Sequence, residues 1–189
     1  MSDKVSNTCK DMEFCKQDLL FLRKSIIIEN SSFKIINDWI DDNKTIDFDL
    51  LYKAKDDFSG SLFHSACDDK GATITLIETT EGDVFGGYNS QSWNCDGDNK
   101  WYGDDKCFIF TLVNKHGIKP TKYSPRNKDY VRSIKSSGPL FGGGYDIGIG
   151  IRSYQSFPHT YHDTTGKGGS TLTPTKEFTI KTIEIYKCI

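Results

Sequence analysis

Along much of this chain the apolar positions fall two apart, which is the spacing of a half-buried strand. In Thr73 to Thr80, Ile74 and Leu76 share one face and alternate with Thr75, Ile77 and Thr79, a β-branched composition suited to a pleated surface. Glu81-Gly82-Asp83 supplies a tight reversal, and Val84, Phe85 and Tyr88 resume the apolar run, so the two stretches predict a hairpin. Gly86 and Gly87 interrupt the second arm. Paired glycines weaken a strand, and their presence there predicts that a backbone or a bulky ring comes close, or that the strand bulges.

Other stretches follow the same rule. Asp47 to Ala54 enters a sheet, and Tyr130 to Lys135 is a short strand. Cys107 to Val113 is apolar on both faces, as in a strand covered on both sides. Ile147, Ile149 and Ile151 alternate with Gly148, Gly150 and Arg152, giving a strand whose second face is bare and must lie under something bulky. Glu177 to Lys187, with Phe178, Ile180, Ile183, Ile185 and Tyr186, makes the last strand.

Helical spacing is confined to the first half. Asp11 to Ser25 predicts an amphipathic helix through Met12, Phe14, Cys15, Leu19, Phe21 and Leu22, and Ile26 to Ile28 either continues it or forms a short strand. Asn30-Ser31-Ser32 offers caps for a second helix over Phe33 to Asp42, whose face of Ile35, Ile36, Trp39 and Ile40 needs covering, by the domain itself or by a second copy or partner. Ser59 caps a short helix ending near Lys70-Gly71. Residues 94–105, with Trp101 and Tyr102 as an anchor, 114–128, 142–146 and 153–175 read as loops, the last as a mobile surface excursion. Because the strands are joined by turns and irregular connections, the fold class is α+β, mainly β: two antiparallel sheets packed as a sandwich with short flanking helices.

Composition narrows the function classes. The 189 residues carry 24 Lys and Arg against 26 Asp and Glu, a net charge of −2, which predicts no general attraction to nucleic acid or anionic membrane. No apolar run approaches the ~20 residues of a membrane span. Six cysteines stand without a Cys-x-x-Cys pair, so reduced thiols and a cytoplasmic location, with the nucleus as the other option, are expected.

The chemistry candidates are few. Gly166-Lys167 fails the P-loop, since Tyr161 stands where its first glycine belongs and Gly168 where a Ser or Thr must hold magnesium. His159 and His162 form the one clustered imidazole pair, in a loop without supporting ligands. No cofactor and no metal are expected. Glu184, between Ile183 and Ile185, is the carboxylate to watch, with Arg152 and the backbone N–H groups of Gly142 to Gly144 as expected donors. Cys67 and Cys107 are expected to be buried and to pack as small apolar groups, and they are also the redox candidates, with Lys106 adjoining the second.

Thr73 to Trp93 resembles the signature of the TLDc domain family, a Thr-Leu strand followed by Gly-x-Val-Phe-Gly and a later Trp. Further matches are Ser61 to Cys67, Tyr102-Gly103, Cys107 to Phe110, Gly138 to Gly144 and Phe178 to Tyr186, spanning about 48–186 in order. The resemblance implies the same two-sheet fold, with residues 1–46 as an N-terminal helical extension and 47–189 as the domain. It also implies a motif set of Gly86, Gly87, Trp93, Gly142, Gly143, Gly144, Asp146 and Glu184, in which the glycine loops and Glu184 form one structural unit. In function it implies a non-enzymatic domain tied to protection from oxidative damage and, in several members, to binding the vacuolar proton-pumping ATPase.

The leading expectation is therefore a protein-interaction module that recognises its partner through loops 94–105 and 153–175, with self-association through the N-terminal helices as an added option. Two alternatives are a thiol- or Glu184-dependent enzyme, either a peroxide scavenger or a hydrolase, and a DNA-binding or transcription-associated regulator. The regulator would use the local strip Lys115, Lys119, Lys122, Arg126, Lys128, Arg132 and Lys135.

Overall fold

In chain order the elements are α1 (Asn30–Ile40), β1 (Phe48–Lys55), α2 (Gly60–Cys67), β2 (Thr73–Thr79), β3 (Val84–Asn89), β4 (Trp101–Tyr102), β5 (Phe108–Val113), β6 (Thr121–Tyr123), β7 (Val131–Arg132), β8 (Leu140–Phe141), β9 (Ile147–Gly148), β10 (Ser153–Tyr154), β11 (Glu177–Phe178) and β12 (Ile180–Cys188). This computed structural model describes residues 25–94 and 100–189, so the helix expected over Asp11 to Ser25 lies essentially outside the described residues.

The strands form two six-stranded sheets, ordered β1-β12-β2-β3-β5-β6 and β11-β10-β9-β8-β7-β4, and every pairing within them is antiparallel. The expected sandwich is the observed one. Alternation along β12 sends Ile183 and Ile185 inward, to a core shared with Ile77, Phe85, Trp93, Ile109, Phe141, Ile147 and Tyr161. Its other face carries Tyr186 into a second cluster with Ile74, Leu76, Phe108 and Phe110. Helix α1 covers that outer face, because Phe33 and Ile36 fall on one side of it and are 1% and 0% exposed. Each such side chain removed from water contributes roughly 1.5–3 kcal/mol.

Several elements depart from the expectations. Helix α1 begins at Asn30, so the Asn30-Ser31-Ser32 stretch expected to cap it lies inside; Glu29 is the cap position and makes no side-chain cap bond. The far end is closed by Asn37, whose Nδ2 donates to the Asp41 and Lys44 carbonyls at 3.2 and 2.8 Å and whose Oδ1 accepts from Ile46 N at 2.7 Å. Ile26 to Ile28 is neither helix nor strand: Ser25 Oγ accepts from Ile27 N and Ile28 N at 3.1 and 3.0 Å and turns the backbone there. Three expected loops each donate a strand, β4, β6 and β10. The expected strand through Ile151 stops at Gly148, leaving Ile151 fully exposed.

Residues 153–175 are not a surface excursion. They begin with β10 and bury Phe157, Tyr161 and Leu172 together with Thr160, Thr171 and Thr173. The polar content that marked them as a loop is spent internally; Gln155 Nε2, for example, donates to the Gly169 and Thr175 carbonyls at 2.7 and 3.2 Å. The last expected strand is divided, since β11 closes the second sheet and β12 runs through the first, with Thr179 as the crossing.

Candidate functional site

Glu184 is completely buried, and its position follows from register. It faces outward from β12, directly opposite Lys53 of β1, and lies beneath the turn at Ser25. Its Oε1 accepts from Lys53 Nζ at 2.9 Å and Ile26 N at 3.2 Å, and its Oε2 from Ser25 Oγ at 2.7 Å and Tyr186 Oη at 2.9 Å. The expected donors, Arg152 and the Gly142 to Gly144 amides, are not the ones observed. The error lies in which face of the sheet the carboxylate takes, a matter of register that one strand alone cannot reveal. Ion pair and hydrogen bonds together saturate the carboxylate, so burial is compensated.

The glycine loop serves a different carboxylate. Asp146 is buried and accepts from His159 N at 2.5 Å and Thr160 N at 2.8 Å. Burial pushes its carboxyl above the ordinary value, against the opposing pull of these amide donors. Gly142 has φ +82°, and a Cβ there would come within 1.9 Å of Asp146 Oδ2. A Cβ on Gly143 would meet the Asp129 carboxylate at 2.7 Å, and one on Gly144 the His159 ring at 2.4 Å. The loop and Glu184 therefore form two units, one in each sheet, instead of the single unit expected.

The paired glycines of β3 meet the close approach expected of them. A Cβ on Gly86 would stand 1.8 Å from the Thr75 carbonyl oxygen, and one on Gly87 would stand 2.7 Å from the Phe141 ring of the opposite sheet. Trp93 sits beside them, with its indole N–H donating to Thr73 Oγ1 at 2.8 Å and its ring edge-on to Phe63 and Phe141.

Cys67 and Cys107 are both fully buried and free. Burial pushes the Cys67 thiol up to about 12. Cys107 Sγ lies 3.3 Å from Ser90 Oγ. The imidazole pair is dispersed into loop packing: His159 lies against Gly144, and His162 gives its backbone N–H to the Ser124 carbonyl at 3.0 Å. Beside them, Asp163 accepts from Thr165 N, Thr165 Oγ1 and Gly168 N, each at 2.7 Å; burial alone would raise its carboxyl, and these bonds bring it below the ordinary value. Among the described residues no group of three or more His, Cys, Asp or Glu side chains could hold a metal.

Three of the seven residues of the basic strip are engaged within the fold. Lys122 Nζ donates to the Trp39 carbonyl at 2.7 Å and lies 4.8 Å from the Phe108 ring centre. Arg126 Nε donates to the His159 carbonyl at 2.8 Å, and Arg132 donates to Tyr145 Oη at 2.8 Å. One further site had no sequence signal. His64 Nδ1 lies 2.8 Å from Asp68 Oδ1 and Nε2 lies 3.0 Å from the Ile134 carbonyl, so each ring nitrogen faces an oxygen and the ring ties α2 to the chain after β7.

The family model for the TLDc domain matches residues 21–189, and so reaches upstream of the boundary at 47 expected for the domain. Three relatives carry the name MTOR-associated protein MEAK7. The Xenopus laevis protein is 25% identical over 152 residues, covering 72% of this chain and 31% of its own length. The Gallus gallus protein is 24% identical over 148 residues, 72% of this chain and 30% of its own. The Danio rerio protein is 38% identical over 47 residues, 25% of this chain and 10% of its own. This chain thus spans less than a third of the relatives it matches.

Proposed function

The chain belongs to the TLDc domain family, and from that membership we propose that it works as a non-enzymatic protein-interaction module. One observation carries the reading: the two fully buried carboxylates, Glu184 and Asp146, are each taken up by donors inside the fold, which makes them parts of the framework. At Cys67 thiolate chemistry is disfavoured, since the residue is buried and its thiol is pushed up to about 12. A rigid sandwich then offers its surface for recognition, as scaffolded folds do.

The partner we propose is the vacuolar proton-pumping ATPase, and the setting is protection from oxidative damage. The relatives are named for association with MTOR, which makes MTOR the second partner to assay. Surface-captured chain exposed to the purified soluble sector of the ATPase should show saturable, reversible binding. Absence of binding to that sector would sink the partner assignment. Peroxide consumption by the purified chain, abolished in Cys67→Ser or Glu184→Gln, would sink the non-enzymatic reading.

A further inference from the structure

Where the open ends of the two sheets meet, beside the crossing at Thr179, a groove of about 470 Å³ runs between the chain leaving β1, the β2–β3 turn and strand β11. Asp56, Asp57, Glu81 and Glu177 line it against a single guanidinium, Arg152. Among the described residues none of the four carboxylates forms an ion pair or a side-chain hydrogen bond. This contrasts with Glu184, Asp146 and Asp163, which are all satisfied.

Apolar groups line part of the groove as well. The half-buried rings of Phe58 and Phe178 contribute to its walls, and Ile151 stands at the lip with 103% of its surface exposed. Strand β11 is the terminal strand of the second sheet, so among the described residues no further strand takes its outer edge. A lone cation would use the carboxylates and leave the isoleucine and the rings idle. A cationic segment with interleaved apolar residues would use all three features: charge complementarity along the walls, apolar contact at the lip, and an edge suited to an extended chain.

We propose that this groove docks an extended segment of a protein partner in which Lys or Arg alternates with aliphatic residues. The assignment rests on the module reading and supplies its recognition surface. It also shifts recognition away from the loops at 94–105 and 153–175, toward the edge where the two sheets exchange a strand.

The test uses the whole chain and a fluorescein-labelled peptide of sequence Leu-Arg-Leu-Lys-Leu-Arg, followed by anisotropy. Saturable binding should weaken about tenfold in Glu81→Lys/Glu177→Lys, because like charges replace opposite ones across the groove. It should weaken several-fold in Ile151→Ser, and hold in Asp38→Lys/Asp42→Lys, which makes the same charge change on and just after α1. Thermal melts of all three variants check folding.

No saturable binding, or equal loss in both double variants, overturns the groove. So does a calcium-induced rise in melting temperature without peptide binding, or a dimer in sedimentation that the Glu81→Lys/Glu177→Lys change dissolves. The two proposals separate in one further measurement. ATPase binding that persists while the peptide fails removes the groove and keeps the module, and peptide binding without ATPase binding removes that partner and keeps the groove.

Discussion

A carboxylate that accepts from an ammonium, a backbone amide and two hydroxyls is held by its partners as firmly as it holds them. Replacing Glu184 with Ala strands Lys53, Ser25 and Tyr186 together, and losing one side of a buried ion pair typically costs about 3–5 kcal/mol. Glu184→Gln keeps an acceptor, and Lys53, whose side chain is 30% exposed, can turn to water, so a loss of about 1–3 kcal/mol is expected. Chemical denaturation of both variants checks the order; equal stability of Glu184→Ala and wild type would rule out the clasp. Asp146 makes a prediction of opposite character. Its carboxyl is held above the ordinary value of 3.8 by burial, so its contribution to stability is fully present below that value and is lost as pH rises through the raised one. A carboxyl carbon titration should therefore place its midpoint above 3.8, and a midpoint below would show that its amide donors outweigh burial. At Gly86 the obstacle is a backbone oxygen, which cannot rotate away, whereas at Gly87 it is a ring. Gly86→Ala should cost more than Gly87→Ala, by about 1–3 kcal/mol on the scale of overpacking, as read from midpoint shifts at unchanged slope.

At the scale of elements, register divides what the sequence disclosed from what it withheld. The β2–β3 hairpin was legible because Thr, Ile and Leu alternate into a glycine turn, and its bare positions announced a close neighbour without naming it. For Gly87 the neighbour is Phe141, a residue in the other sheet, and no local pattern links position 87 to position 141. Lys53 escaped notice for the same reason: it becomes a partner for Glu184 only once β1 and β12 pair with these residues opposite. Loop 153–175 misled because Ser, Thr and Gly mark surface unless the backbone finds internal partners, and here Asp146, Gln155 and Asp163 provide them. Helix α1 was visible from its spacing, yet its attachment was not. Phe33 packs against Phe48 and Tyr186 at 5.2 and 5.3 Å between ring centres, and the turn before the helix is pinned to Glu184. The helix and the turn should therefore come loose together. In Ser25→Ala, amide exchange should quicken at Ile26 to Ile28 and carry into the first turn of α1, while β2 and β5 stay protected. Faster exchange across the whole first sheet would mean that the turn is not a separable clasp.

For the whole molecule, the decisive feature is that the chain leaves the second sheet at its terminal strand β11 and enters the interior of the first as β12, so the two layers share a covalent crossing as well as a core. The resemblance found in the sequence spans both layers, which is why fold and family were readable together; function was not, because Gly86, Gly87, Trp93, Asp146 and Glu184, which carry that resemblance, are spent on packing and internal hydrogen bonds. Trp93 meets Phe63 and Phe141 edge to face, each at 5.6 Å between ring centres, in the middle of that framework, with Cys67 and Cys107 buried in the same core. A reagent can therefore reach either thiol only when the sandwich opens. Native alkylation of Cys67 and Cys107 should be slow and should follow the global unfolding equilibrium, accelerating in step with denaturant well below the midpoint. Rates for the two should converge in Gly86→Ala, where the whole fold is weakened. Fast modification of either residue in the unperturbed protein would place a local opening at the centre of the molecule, and a stiff platform with interior thiols would no longer describe it.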